Sequence, residues 1–237
     1  MEFEYFLGVD GCKGGWVAVS SNSIEINNVQ VFFVKNLLDL RNIVPSAKEI
    51  VIDMPIGLTI DQPHRACDVL GRKYLGSRSS TLFTPPCYDA IKAKSYELAN
   101  RINKEKTGLG LSKQSWFLKD KIIDAHNAIE QGLCLKEGHP ECSFAALSGK
   151  PIENSKKTST GIISRLLYLQ EIGFNFKSAL KNFPPNMEIK IDDFLDAAIL
   201  CWTATRVASN SNFTFPLKNE NDANPNDANP FDCIIYI

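Results

Sequence analysis

The chain has 237 residues, 44% of them hydrophobic, which is enough to bury a full core as one large domain and too apolar for a disordered chain. Its 26 Lys and Arg stand against 27 Asp and Glu, so net charge neither favours nor excludes an anionic partner, and any basic surface is local. Seven cysteines without a C-x-x-C pair, and only three histidines, exclude the common zinc spacings and point to reduced thiols.

The opening stretch, MEFEYFLGVD, carries acidic residues where a signal peptide needs basic ones, and no apolar run approaches the roughly 18 residues of a membrane span, so a cytoplasmic protein without a membrane partner is expected. Residues 3–34 predict three short strands, FEYFLGVD, GWVAVSS and NVQVFFV, joined by Gly-rich and Asn/Ser-rich turns as an antiparallel meander. NLLDLRNIV reads as a helix and EIVIDMPIGL as a fourth strand ending in Asp53. A helical crossover of this kind makes the fourth strand parallel to the first and predicts a mixed sheet with helices packed on it.

Residues 60–132 turn helical and polar, too long for a connection, and read as an inserted helical subdomain of a single domain spanning 1–237. Ile91, Leu98 and Ile102 recur near helical spacing, as do Leu118, Ile122, Ala125 and Ile129, with Ser112 as the cap. Between 60 and 135 there are 12 Lys or Arg against 8 Asp or Glu, so positive charge is concentrated in the insertion. GLCLKEGHPECSF reads as a fifth strand broken at Pro140. A helix follows through TSTGIISRLLYLQEIG, stopped by Gly173, and another runs through IDDFLDAAILCWTATRVA. The pentapeptide NDANP occurs at 221–225 and again at 226–230, and reads as a polar loop delivering a last strand from FDCIIYI.

Asp10 and Asp53 end two strands expected to be parallel neighbours, so both carboxylates leave the same edge of the sheet, where open α/β sheets bind ligands. Two like charges in a partly dry site call for a divalent cation or a shared proton. Taken singly, Asp10 also fits a hairpin Asp-Gly turn and Asp53 a turn cap before Pro55. The helix at IDDFLDA adds Asp192, which reads as an N-terminal cap and dipole match, and Asp193 and Asp196, three apart on one face. Asp196 either meets solvent or aims at the sheet edge. His139 and Glu141 fall at the end of the fifth strand, as site residues or as a loop pair. With oxygen ligands and few histidines, magnesium or manganese is the expected ion.

The ordered blocks GVDGCKGGW, VIDMPIGL, GRKYLGSRSS, GLGLSKQSW, HPECSF, SKKTSTG and DDFLDA resemble a large, mostly bacterial and archaeal family of uncharacterised proteins described as predicted RNase H-like nucleases. The resemblance runs from about residue 7 to 206. It implies a ribonuclease H-like fold, an α/β mixed five-stranded sheet flanked by helices with the helical insertion after the fourth strand. It places the catalytic carboxylates on the first strand, the fourth strand and the last helix, here Asp10, Asp53 and the pair Asp193 and Asp196. The D-x-x-D-A spacing at 193–197 is also similar to the final acidic motif of Holliday-junction resolvases. One departure stands near residue 86, where the resemblance implies an arginine and the chain has Cys87 and Tyr88.

These readings predict a metal-dependent phosphodiester hydrolase. Asp10, Asp53 and Asp193, with Glu141 or Asp196, would hold one or two magnesium or manganese ions, which activate a water and stabilise the leaving oxygen. The glycines at 11, 14 and 15 would turn the chain tightly beside the substrate, with Lys13 meeting a phosphate. Arg65, Arg72, Lys73, Arg78, Lys156 and Lys157 are expected near phosphates or on a solvated face, His139 on the substrate side, and Trp116 stacked on a base or packed in the core. The partner is then nucleic acid or another phosphodiester. Two alternatives fit the same residues: a nucleotide-binding or phosphotransfer protein of the actin and sugar-kinase type, whose Gly-rich first hairpin cradles phosphates, and a non-catalytic nucleic-acid-binding module.

Overall fold

The computed structural model describes residues 4–185, 188–216 and 233–237. β1 (Tyr5–Cys12), β2 (Gly15–Ser21) and β3 (Val29–Val34) form the antiparallel meander, β1 pairing with β2 and β2 with β3. A 3-10 turn and a short α1 (Leu40–Ile43) cross over to β4 (Ala47–Ile52), which pairs parallel to β1 with Val9 opposite Ile52. Five helices follow: α2 (Ala66–Leu75), α3 (Tyr88–Ile91), α4 (Tyr96–Thr107), α5 (Lys113–Phe117) and α6 (Lys119–Glu130). Then come β5 (Lys136–Gly138), α7 (Pro140–Ser148), α8 (Ser159–Glu171), α9 (Phe176–Lys181), α10 (Ile191–Ala208), β6 (Thr214–Phe215) and β7 (Ile235–Tyr236).

The result is an α/β fold with one mixed sheet in the order β3-β2-β1-β4-β5-β7-β6, in which β4, β5 and β7 continue parallel to β1 and β6 runs antiparallel to β7. The sheet has seven strands among the described residues, two more than the five of the expected core. β7 is the strand expected from FDCIIYI; β6 is two residues long, too short to carry the alternation that marks a strand. The NDANP repeat lies outside the described residues. The fifth strand is only three residues, because Pro140 opens α7 instead of ending a strand, its missing N–H being one that the first turn of a helix leaves unpaired anyway. The two long helical patterns of the 60–132 segment each divide, at Lys92–Ser95 and at Leu118.

Alternation along β1 separates two cores. Leu7 and Val9 face Ile122, Ala125, Ala128 and Ile129 of α6, together with Ile50 and Ile52 of β4. Phe6 and Val51 face the other way, onto Leu200 and Ala204 of α10. α6 is therefore part of the main core, while Ala93, Ala99 and Leu111 form a small cluster of their own around α4. α10 lies directly on β1 because position 8 is glycine: a Cβ there would stand 2.0 Å from the Cys201 nitrogen and 2.1 Å from the Ala197 carbonyl oxygen. No described helix is long and apolar enough to cross a membrane, and all seven cysteines are free thiols.

Candidate functional site

The close seat of α10 on β1 sets the site. Asp10 is two residues past Gly8 and so on the same face of the sheet; Asp196 is one turn before Leu200, which lies against Gly8. Since α10 runs against β1, Asp10 and Asp196 arrive at the same level. Asp53 follows Ile52, continues the pairing by donating its N–H to the Val9 carbonyl at 2.9 Å, and shares the face of Val51. One carboxylate oxygen from each of Asp10, Asp53 and Asp196 lies within 4.8 Å of the others. Asp193, the expected ligand, is one turn too early on the helix, half-buried and outside this trio; Asp196 supplies the third carboxylate.

Three carboxylates so placed perturb one another. Burial pushes the Asp10 carboxyl well above its usual range, and Asp53 and Asp196 add repulsion while Lys156 opposes it. Burial likewise raises Asp53 to about 7 and Asp196 to about 6. Asp10 is 8% exposed and Asp196 fully buried. The Asp10 Oδ1 accepts the Gly11 N–H at 2.7 Å. Lys156 donates its ammonium to Asp196 Oδ2, whereas Asp196 Oδ1 is buried with no hydrogen-bond partner among the described residues. An orphaned anionic oxygen in a trio of carboxylates, two buried and one half-buried, fits a hard divalent cation, which oxygen donors at this spacing would coordinate. A second acidic group, Cys67, Asp68 and Glu137, lies elsewhere, but Arg65 threads it.

Asp10 and Asp53 open into a cleft of about 310 Å³ also lined by Arg78, His139, Glu141, Lys156 and Lys157. Glu141 is in the first turn of α7, both oxygens held by Arg165 Nη2 at 2.6 and 2.8 Å, with Arg78 3.9 Å away. His139 caps α7, its Nδ1 facing the Cys142 N–H at 3.4 Å, and burial lowers its pKa to about 4, so it is neutral at physiological pH. The opposite wall comes from the 60–132 segment: Arg78, Ser80, Thr81, Phe83, Gln114 and Lys121.

Several expected phosphate contacts lie elsewhere. Arg65 is buried, and all of its N–H groups are used on Asp68, Glu137 and the Gly57 carbonyl, so it pins α2 to β5. Arg72 holds the Leu82 carbonyl and Thr84, Lys73 is exposed outside the cleft, and Lys13 pairs with Glu188 at the surface. Trp116 packs beside the α4 cluster, edge-on to Tyr96 at 6.4 Å and under the Lys119 ammonium. Cys87 is buried and donates its N–H to Asn103, offering nothing to an anion. Lys121 and Arg165 were not singled out from the sequence. Lys121 sits over the Trp16 ring at 4.2 Å and lines the cleft. Its i−3 and i+3 neighbours Leu118 and Asp124 give no cue beyond an ordinary helix; Arg165, inside an apolar stripe, is the stronger signal, since a charge there must be paired.

A model of one protein family matches residues 8–221, and the family is described as protein of unknown function (DUF429). No curated protein and no solved structure matches the chain.

Proposed function

The chain belongs to the DUF429 family, and because that description assigns no activity, we propose its function from the site: a magnesium- or manganese-dependent phosphodiester hydrolase acting on nucleic acid. The observation that carries this reading is the convergence of Asp10, Asp53 and Asp196, from three separate segments, to within 4.8 Å, with one buried oxygen of Asp196 left unpaired. The order β3-β2-β1-β4-β5, antiparallel in its first two pairs and parallel in the next two, supports a ribonuclease H-like core. The remaining two short strands extend it. The cleft wall drawn from residues 78–121 supports reading the 60–132 segment as a substrate-facing insertion.

Asp10, Asp53 and the free Asp196 oxygen would hold the ion, which when bound lowers the pKa of a coordinated water and offsets charge on the phosphoryl oxygens. The chain's own cations do the rest. Arg78, Lys121 and Lys157 line the cleft and orient an anionic backbone against the carboxylates. His139, neutral, fixes the start of α7 and through it Glu141, which Arg165 neutralises.

The test is a panel of single-stranded, duplex, hybrid and branched DNA and RNA with Mg²⁺ or Mn²⁺. Cleavage of at least one substrate is expected, abolished by chelator and lowered at least about a hundredfold in Asp53→Asn, because even changes behind a metal ligand cost 10–100-fold. No cleavage with either ion, with ATP turned over instead, would replace this reading by phosphotransfer.

A further inference from the structure

The cation already seated in the carboxylate cluster bears on how many ions the site takes. We propose that Lys156 is a tethered cation occupying the second positive position of the site, so that the cleft holds one divalent ion rather than two; this rests on the metal-dependent reading above. The two oxygens of Asp196 divide the roles. Oδ2 is taken by the Lys156 ammonium, and Oδ1, buried and without a partner, is the oxygen left for an ion.

Among the described residues, the other carboxylates near the site are less well placed for a second ion, although the Asp193 charge reaches Asp10. Glu141 lines the same cleft, but Arg165 spans both of its oxygens and Arg78 stands behind it. Asp193 is outside the trio. Three carboxylates and one ammonium leave two negative charges, which one divalent ion balances. A second divalent ion would face the ammonium at short range in a partly desolvated cleft, where like charges repel strongly.

Lys156 is placed, not merely long enough to reach. Its loop is tied down just ahead of it: the Asn154 carbonyl accepts from Arg165 Nη1 at 3.1 Å, and the Ser155 carbonyl accepts the Thr158 N–H at 2.9 Å and the Thr158 hydroxyl at 2.8 Å. The loop also lies directly on Gly161, where a Cβ would come within 1.9 Å of the Ser155 oxygen. An ordinary surface lysine has none of these constraints.

The experiment counts Mn²⁺ bound to the full chain, without nucleic acid, by titration calorimetry and by the loss of free-ion electron paramagnetic resonance signal. Wild type is expected to bind one ion, Lys156→Arg one, and both Lys156→Met and Lys156→Gln a second, in samples whose folding is verified by circular dichroism. Two ions on the wild type would overturn the proposal while leaving the metal reading intact, and need no variant to fold. One ion on both neutral variants would also overturn it. No Mn²⁺ on the wild type would remove the metal reading and this proposal together.

Discussion

Asp53 is one of three carboxylates, with Asp10 and Asp196, whose raised protonation ties stability to pH. Its folded carboxyl titrates near 7 against a usual value of 3.8, chiefly through burial. Below about pH 4 both folded and unfolded chains hold the proton; between about 4 and 7 only the folded one does, so rising pH favours the unfolded chain. The metal-free protein should therefore lose stability from this group as pH rises through that window, and Asp53→Asn should remove the loss. Melting both in chelator across pH 4 to 8 checks it: the variant's advantage should grow with pH, and a constant difference would contradict the assignment. Asp10→Asn should act in the same direction, since it lowers the cluster's net charge while Asn keeps the acceptor for the Gly11 N–H. Each kcal/mol relieved raises the melting temperature of a chain this size by roughly 2–4 °C.

At the scale of elements, the site depends on how α7, α8 and the loop between them are joined. Arg165 is fully buried in α8 and binds Glu141 of α7, the Gly161 carbonyl of its own helix and the Asn154 carbonyl of the loop. Arg165→Met leaves Glu141 as a buried, nearly unpaired charge, and breaking such a pair costs roughly 3–5 kcal/mol. A lowered denaturation midpoint with unchanged slope is the expected result; a cost under about 1 kcal/mol would mean that Arg165 is not the anchor of this junction. Gly161→Ala probes the same junction from the backbone. The added methyl collides with the Ser155 carbonyl, so the loop must move and Lys156 with it. Faster amide exchange at 154–158 with protection retained in β1 and β4 is the expected signature.

For the whole molecule, charge is organised by the cleft and not by net composition. Arg78, Lys121, Lys156 and Lys157 line it, while Arg65, Arg72 and Lys73, nearby in sequence, are spent or point elsewhere. Binding of labelled nucleic acid should weaken with salt, and Lys157→Ala should reduce the slope of log affinity against log salt by roughly 0.7–0.9 if it meets one phosphate. Lys73→Ala should leave the slope unchanged. Mass action gives a second global test: Mg²⁺ or Mn²⁺ at a hundredfold excess over its dissociation constant should stabilise the wild type by about 2.7 kcal/mol, and Asp10→Asn much less. Equal shifts in the two proteins would exclude Asp10 as a ligand.

Sequence alone determined what has a local cause. Alternating apolar residues and Gly-rich turns marked the meander, the helical crossover implied β4 parallel to β1, and that pairing put Asp10 and Asp53 on one edge. Ser112 and Gly173 marked a helix start and a helix end for the same reason, since caps and stops are chemistry within a few residues. What depends on distance in space was decided only by the tertiary structure. Asp193 and Asp196 differ by three positions on one helix, and the choice between them follows from where α10 lies on Gly8, a contact made across nearly the whole length of the chain. The basic residues of the insertion looked alike in sequence, yet Arg65 is consumed by buried carboxylates brought from α2 and β5. Lys156 became part of the cluster only when α8 and the loop before it folded against α10, because the partner of a charge is set by packing and not by its neighbours in the chain.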